Sequence, residues 1–342
     1  MVVTFGEIML RLSPPGYQRM TQAKSLEMTF GGGEANVAVS LAGFGQATRF
    51  VTKLPKNDIG EACIRELRSY GVDISSIARG GERIGIYFCE KGASQRPSKV
   101  IYDRANSAIA SSLPKDYNWD EIFDGATWFH FTGITPALGD TVAEITLTAC
   151  KEAKKRNITI SCDLNYRKKL WSREKAKSVM TPLMEYVNIL IANEEDITDV
   201  FGINIKGSDI VSGEINIDEY KHVAKQLINK FEFDKLAITL RESISASFNN
   251  WSALLCTKEG EEEEAILSEK YAVQIVDRVG GGDSFCGGLI YALLNNYNNK
   301  DALEFAVAAS CLKHSIEGDF NIVSVEEVKA LAGGDGSGRV QR

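Results

Sequence analysis

Short apolar runs suited to strands alternate along this chain with helical stretches of ten or more residues, and that alternation restricts the fold more than any other feature. Val2–Phe5 and the runs 127–131, 159–162, 187–191 and 235–240 are strand-like. Such a rhythm predicts an α/β fold with a central, mostly parallel sheet flanked by helices. Residues 35–43 illustrate the helical reading: Ala35, Ala38, Val39 and Ala42 share one face, and Gly43 and Gly45 supply stop signals. Residues 141–155 and 300–313 behave in the same way. With 342 residues, 44% of them apolar and only 7 prolines, the chain has material for one large core.

Two segments break the rhythm. Residues 9–30 and 83–104 read as strands with turns, and neither contains a convincing helix. Together they predict a small β insertion with too little core to stand alone, placed as a lid over the main sheet or paired with another subunit. The expected organisation is one domain over 1–332 carrying these insertions, followed by a disordered tail over 333–342. The acidic run 259–264 reads as a solvated hairpin loop.

The net charge of -7 argues against nucleic acid as the main partner, since phosphate backbones are bound by clustered Lys and Arg. Cysteines at 63, 89, 150, 162, 256, 286 and 311 are odd in number and form no C-x-x-C pair, which reads as buried free thiols in a reducing compartment. No run approaches the roughly 18 apolar residues of a membrane helix, and the opening has an acid at Glu7 and no basic leader. A cytoplasmic protein is expected. His130, His222 and His314 match no metal-ligand spacing and are read as structural.

The most informative stretch is DRVGGGDSFCGGLIYALL from Asp277. Gly280, Gly281 and Gly282 leave backbone N–H groups unobstructed at a helix start, where peptide dipoles favour negative charge. Asp283 at the helix entrance is placed to take a proton from an attacking hydroxyl while the amides hold charge on a transferred phosphoryl group. Taken alone, G-G-G-D reads as a tight turn with an N-cap Asp. The strand-like 271–276 before it and the long helix after it favour a ligand loop at the end of a strand.

A second cluster, Gly31-Gly32-Gly33-Glu34-Ala35-Asn36, also lies between a strand and a helix. As a dinucleotide fingerprint it fails, because Asn36 stands where the third glycine belongs and no acid follows about twenty residues on. The absence of G-x-x-x-x-G-K-[ST] and of an H-R-D loop removes P-loop and protein kinases.

The pairing of GGGEANVAVSLAGFG with DRVGGGDSF resembles the two signatures of the ribokinase-like (pfkB) carbohydrate kinases, over nearly the whole chain. The resemblance implies a ribokinase-like fold with a β-sheet lid, ATP and Mg2+ as cofactors, Asp283 as base and Gly280 to Gly282 as anion hole. The family loop reads G-A-G-D, so Gly281 replaces an Ala. Asn193-Glu194-Glu195-Asp196 matches the family's N-x-x-E motif with a shorter final acid, which implies no direct metal ligand but an action of Asp196 through water. Read alone, that stretch is equally an N-cap followed by acids in the first helical turn. Thr239-Leu240-Arg241-Glu242 stands where the family has T-x-G before the nucleotide loop. Asn193, Asp196, Thr239, Arg241, Glu242, Gly280, Gly282 and Asn321 are thus the implied nucleotide contacts.

Within the family, Gly33-Glu34, Gly85-Ile86-Tyr87-Phe88, Tyr102-Asp103-Arg104-Ala105 and Asp163-x-Asn165-x-Arg167 look most like the 2-keto-3-deoxygluconate kinases. Such a substrate presents a carboxylate, which the planar guanidinium fork of Arg matches. The resemblance implies substrate contacts from Gly32, Gly33, Glu34, Asn36, Tyr87, Tyr102, Arg104 and Arg167, and phosphorylation of the terminal hydroxyl. Without it, Arg104 reads as paired with Asp103 or another lid acid, Arg167 as part of a basic turn, and the tyrosines as sheet packing. Alternatives are the same chemistry on fructose or 2-keto-3-deoxygalactonate and, from another class, a non-catalytic sugar-binding regulator. A homo-oligomer joined through the lid is expected.

Overall fold

The structure, a computed structural model, describes residues 1–203, 217–258 and 265–338. Its strands are β1 (Val2–Phe5), β2 (Met9–Ser13), β3 (Glu27–Gly31), β4 (Thr48–Val51), β5 (Lys53–Leu54), β6 (Ala78–Arg79), β7 (Gly85–Glu90), β8 (Lys99–Asp103), β9 (Trp128–Thr132), β10 (Thr159–Asp163), β11 (Ile189–Asn193), β12 (Lys235–Ser243), β13 (Phe248–Thr257), β14 (Ala265–Leu267) and β15 (Tyr271–Gln274). The helices are α1 (Gly33–Gly43), α2 (Asp58–Ser69), α3 (Trp119–Ile122), α4 (Asp140–Lys155), α5 (Arg173–Met184), α6 (Glu194–Phe201), α7 (Ile217–Phe231), α8 (Gly281–Leu294), α9 (Asn299–Lys313) and α10 (Val325–Ala332). The acidic run 259–264 and the last residues of the tail, 339–342, lie outside the described residues.

The large sheet runs β14-β13-β12-β11-β10-β9-β1-β4, with β15 also paired to β13. From β12 to β4 every pairing is parallel; β13 turns back antiparallel at one end. Strand side chains alternate between two cores, as a sheet buried on both faces requires. Val3 and Phe5 join Phe129, Phe131, Ile145 and Leu227 on one face, while Val2 joins Trp128, Ile191, Phe285 and Phe305 on the other.

Helix α1 departs from the one-faced expectation. Ala35, Ala38 and Val39 pack with α2 and the small sheet, but Val37 and Leu41 pack into the core of α8 and α9, so Glu34 to Leu41 are all buried. The two rhythm-breaking segments do combine: β3-β2-β7-β8 form a separate four-stranded sheet. Its root shares a core with α1 and α2 through Ile8, Leu10 and Phe30, whereas its other side holds a small cluster of Met9, Tyr87 and Cys89 with Val100 and Val279 against it. The six cysteines other than half-buried Cys311 are buried, and all seven are free.

Phe129 lies at the centre of an aromatic group, with ring centroids 5.3 Å from Phe123 and 5.9 Å from Phe131, and it is fully buried. Phe129→Ala should destabilise the protein by about 3–5 kcal/mol, read as a lower urea midpoint at unchanged slope.

Candidate active site

Parallel pairing brings the carboxyl ends of adjacent strands to one edge, where open α/β sheets bind ligands. Asp163 of β10 stands beside Thr132 of β9 and Ile191 of β11, and Asn193 at the end of β11 stands beside Thr239 of β12. The two glycine turns open α1 and α8 over this edge. They meet at Asp283, whose Oδ2 accepts a 2.6 Å bond from Asn36 Nδ2, while Oδ1 faces Gly33: a Cβ added there would lie 3.6 Å from it.

The first bond of the α8 ladder runs from Ser284 N–H to the Gly280 carbonyl (2.8 Å), so the N–H groups of Gly281, Gly282 and Asp283 precede it. Gly280 is left-handed at φ 85, and a Cβ there would overlap the Asp319 carbonyl oxygen. At Gly281, where the family has Ala, a Cβ would stand 2.6 Å from His314 Cε1, so this protein's histidine ring fills the space of the missing methyl. His314 is fixed by Ser310 and by Trp251, and burial lowers its pKa to about 4, leaving it neutral. Gly282 alone faces open space, with no atom within 4 Å of a built Cβ.

Asp283 is half-buried, and burial raises its pKa to about 6. The Asn36 hydrogen bond opposes that shift, as do the charges of Arg167 and Lys313, while Asp319 adds to it. Asp163 is pushed well above the usual carboxylate range, by burial and then by Asp196 and Asp283. Asp196 rises to about 6 through burial, with Arg167 opposing.

A cavity of about 1350 Å³ opens beside this edge. Tyr102 and Arg104 line the wall contributed by the small sheet; Arg167, Lys169, Asn193 and Asp196 line the facing one. Arg104 is buried and pairs with Glu7, which also accepts from Ser107 (2.6 Å), and its Cζ lies 5.5 Å over the Tyr102 ring. Its sequence neighbour Asp103 pairs instead with Arg83 (2.8 Å). Arg167 is half-buried and donates one bond, to the Tyr166 carbonyl (3.0 Å). Asn193 caps α6, accepting from Glu195 N (2.8 Å) and Asp196 N (2.9 Å).

Several predicted contacts take other places. Glu34 turns inward: its Oε1 accepts from Thr132 N, Thr132 Oγ1 and Thr135 Oγ1 at 2.6–2.9 Å, and burial raises its pKa to about 7. It ties α1 to the end of β9 rather than lining the cavity. Gly32 is pressed against the Glu7 carbonyl, and its N–H donates to Asn36 Oδ1 (3.1 Å). The Tyr87 hydroxyl is buried on the Asp319 carboxylate at 2.6 Å, away from the cavity lining. Asn321 is buried and braces α8 through Ser284 Oγ (2.7 Å). Glu242 is held by Lys270 (2.6 Å) and Asn250 (2.7 Å), while Arg241 is exposed near Arg278. Thr239 is mostly buried. Missed from sequence were Arg11, Asp319 and Lys313, three buried charges around the glycine loop. Arg11 sits between leucines in an alternating strand, a pattern that reads as an outward-facing charge.

The chain belongs to the pfkB family of carbohydrate kinases, whose signature it matches over residues 1–322. It is therefore a phosphotransferase acting on a sugar hydroxyl. The crystal structure of 2-dehydro-3-deoxygluconokinase from Thermotoga maritima superposes with a TM-score of 0.92 and 52% identity, covering 97% of this chain and 98% of that one. The 2-dehydro-3-deoxygalactonokinase of Haloferax volcanii is 33% identical over 98% of this chain and 97% of its own length. The 2-dehydro-3-deoxygluconokinase of Bacillus subtilis is 28% identical, over 95% and 93%.

The three loop glycines should separate by substitution. Gly280→Ala forces a left-handed Ala into the Asp319 carbonyl and should lower Tm, whereas Gly282→Ala should leave Tm unchanged or slightly raised while ATP turnover falls. Calorimetry and an ADP-release assay on both variants check the contrast.

Proposed function

We propose that this protein transfers the γ-phosphoryl group of ATP to the terminal hydroxyl of 2-keto-3-deoxygluconate (2-dehydro-3-deoxygluconate), giving the 6-phosphate and ADP. The observation that carries the reading is the geometry around Asp283: one carboxylate oxygen is held by Asn36, the other faces the Gly33 turn, and unobstructed Gly282 stands beside it. With the hydroxyl against the free oxygen, Asp283 accepts its proton as the new O–P bond forms and the bond to ADP breaks. The amides at the start of α8 receive the charge that develops on the phosphoryl oxygens.

Magnesium arriving with ATP would supply charge neutralisation for the phosphates. The residues present fit it: Asp196 Oδ2 is buried without a partner, while Oδ1 accepts from Tyr166 N–H (3.0 Å), and such an orphaned oxygen suits a metal-bound water. Asn193, Thr239 and Arg241 are the remaining nucleotide contacts on this reading, Asn193 and Thr239 standing side by side on β11 and β12.

Arg104 and Arg167, on opposite walls of the cavity, are the cations for the sugar carboxylate, with Tyr102 beside them; Gly33 and Asn36, which adjoin Asp283, are the contacts for the reacting end of the sugar. Arg104 gives part of its fork to Glu7, so Arg167 carries more of the recognition. The galacto epimer presents the same carboxylate, and the name of the Haloferax relative keeps it as the second reading. Exposed Met28 and Ile101, on the two edge strands of the small sheet, support pairing of subunits through the lid. No helix among the described residues is long and apolar enough to cross a membrane, and we assign the enzyme to the cytoplasm.

Asp283→Asn should lose about 10²- to 10⁴-fold in kcat with sugar binding retained; near-normal turnover would remove Asp283 as base. Because burial raises that carboxyl to about 6, the base is protonated below that value, and kcat should fall as pH drops through about 6. A sugar panel in a coupled ADP-release assay tests the substrate. Keto-deoxy acids should be preferred over fructose and ribose, and Arg167→Ala should erode that preference about ten- to a hundredfold. Preference for a neutral sugar would overturn the substrate, and silence on every sugar would favour a regulator.

A further inference from the structure

The small sheet is fastened to the glycine loop by a buried ionic cluster. Arg11 of β2, only 2% exposed, donates through Nη2 to Asp277 Oδ2 (2.5 Å) and through Nη1 to Asp319 Oδ1 (2.7 Å). Tyr87 of β7 donates to the same Asp319 carboxylate (2.6 Å), and Lys91 just beyond β7 pairs with Glu317 (2.5 Å). Asp277 in turn accepts from Val279 N and Gly318 N, both at 3.2 Å, so it holds the two backbone segments that meet at Gly280.

Asp319 stands where both glycine turns come together. Its carbonyl oxygen occupies the place of a Cβ on Gly280, and its carboxylate Oδ2 occupies the place of a Cβ on Gly31. The Gly31 turn leads into α1, which carries Asn36 to the catalytic carboxylate; the Gly280 turn leads into α8, which carries the carboxylate itself. One residue thus sets the separation of base, base-orienting amide and anion-binding backbone.

The geometry points to Asp319 as a positioning residue for phosphoryl transfer, clamped by Arg11 and Tyr87 of the small sheet so that the Gly280 and Gly31 turns stay in register. Asp319 reaches no substrate; it acts through the backbone it presses against. Burial against an unpaired charge would be prohibitive here, and Arg11 supplies the counter-charge: Asp277 and Asp319 hold its pKa above its ordinary value against the effect of burial. The small sheet is therefore not a freely swinging flap. Its β2 and β7 side is locked to the loop, and β8, exposed along most of its length, is held to that side through its pairing with β7.

This inference deepens the kinase reading of the site and rests on it, so its primary readout needs no substrate. Tyr87→Phe removes one donor to Asp319 and keeps volume and fold; Asp319→Asn removes the charge. Hydrogen exchange of the unliganded protein should quicken about tenfold or more over residues 277–284 in both variants, with α7 unchanged as the remote control. In steady state, kcat should fall about tenfold while KM for the sugar acid and for ATP stays within about twofold of wild type. Unchanged exchange over 277–284, or a rise shared equally by α7, overturns the proposal. So does a Tyr87→Phe variant that raises KM for the sugar with kcat intact, since that would make Tyr87 a substrate contact. A wild-type enzyme silent on every keto-acid would count against the substrate assignment, while the exchange result still decides the role of Asp319.

Discussion

The carboxylate proposed as the base stands where burial resists ionisation, and the surroundings of Asp283 are the resolution of that conflict. Desolvation raises its pKa to about 6, and the Asn36 hydrogen bond together with Arg167 and Lys313 keeps it from rising further. The result is a carboxylate ionised at neutral pH yet basic enough for the proton acceptance proposed for it. Asp163 beside it, buried and facing the charges of Asp196 and Asp283, is held well above the ordinary range although Arg167 and the Asn165 N–H oppose the shift.

The parallel sheet makes this arrangement possible because it collects strand ends from distant parts of the chain along one edge. Two cores pin the sheet from opposite faces, and the loops above it inherit that rigidity. The small sheet adds the second wall of the cavity, and Glu7 extends the ionic chemistry to it by pairing with Arg104. In the proposed mechanism function depends on charges set apart from the substrate: Glu7 pairs with Arg104, and Arg11, Asp277, Asp319 and Lys313 surround the glycine loop.

Much of this was legible in the sequence where the signal is local. Strand periodicity gave β1, β9, β10, β11 and β12 to within a few residues, and the glycine turns marked both helix starts that frame Asp283. What escaped reading depends on contacts remote in sequence. The hydroxyl of Tyr87 finds a carboxylate 232 residues away, and no local pattern distinguishes that from a tyrosine facing a sugar. Glu34 follows three glycines and reads as a ligand, but its rotamer turns it under the end of β9, toward Thr132 and Thr135. Arg11, with leucine on either side, has the pattern of a solvated charge and is almost wholly enclosed.

A crystal structure with 2-keto-3-deoxygluconate and a non-hydrolysable ATP analogue tests the account most directly. It should place the terminal hydroxyl within hydrogen-bond distance of the Asp283 oxygen not held by Asn36, with the sugar carboxylate on Arg167 and the γ-phosphate over Gly282. A sugar bound in the reverse sense, with its carboxylate at the glycine loop and no hydroxyl near Asp283, would contradict it.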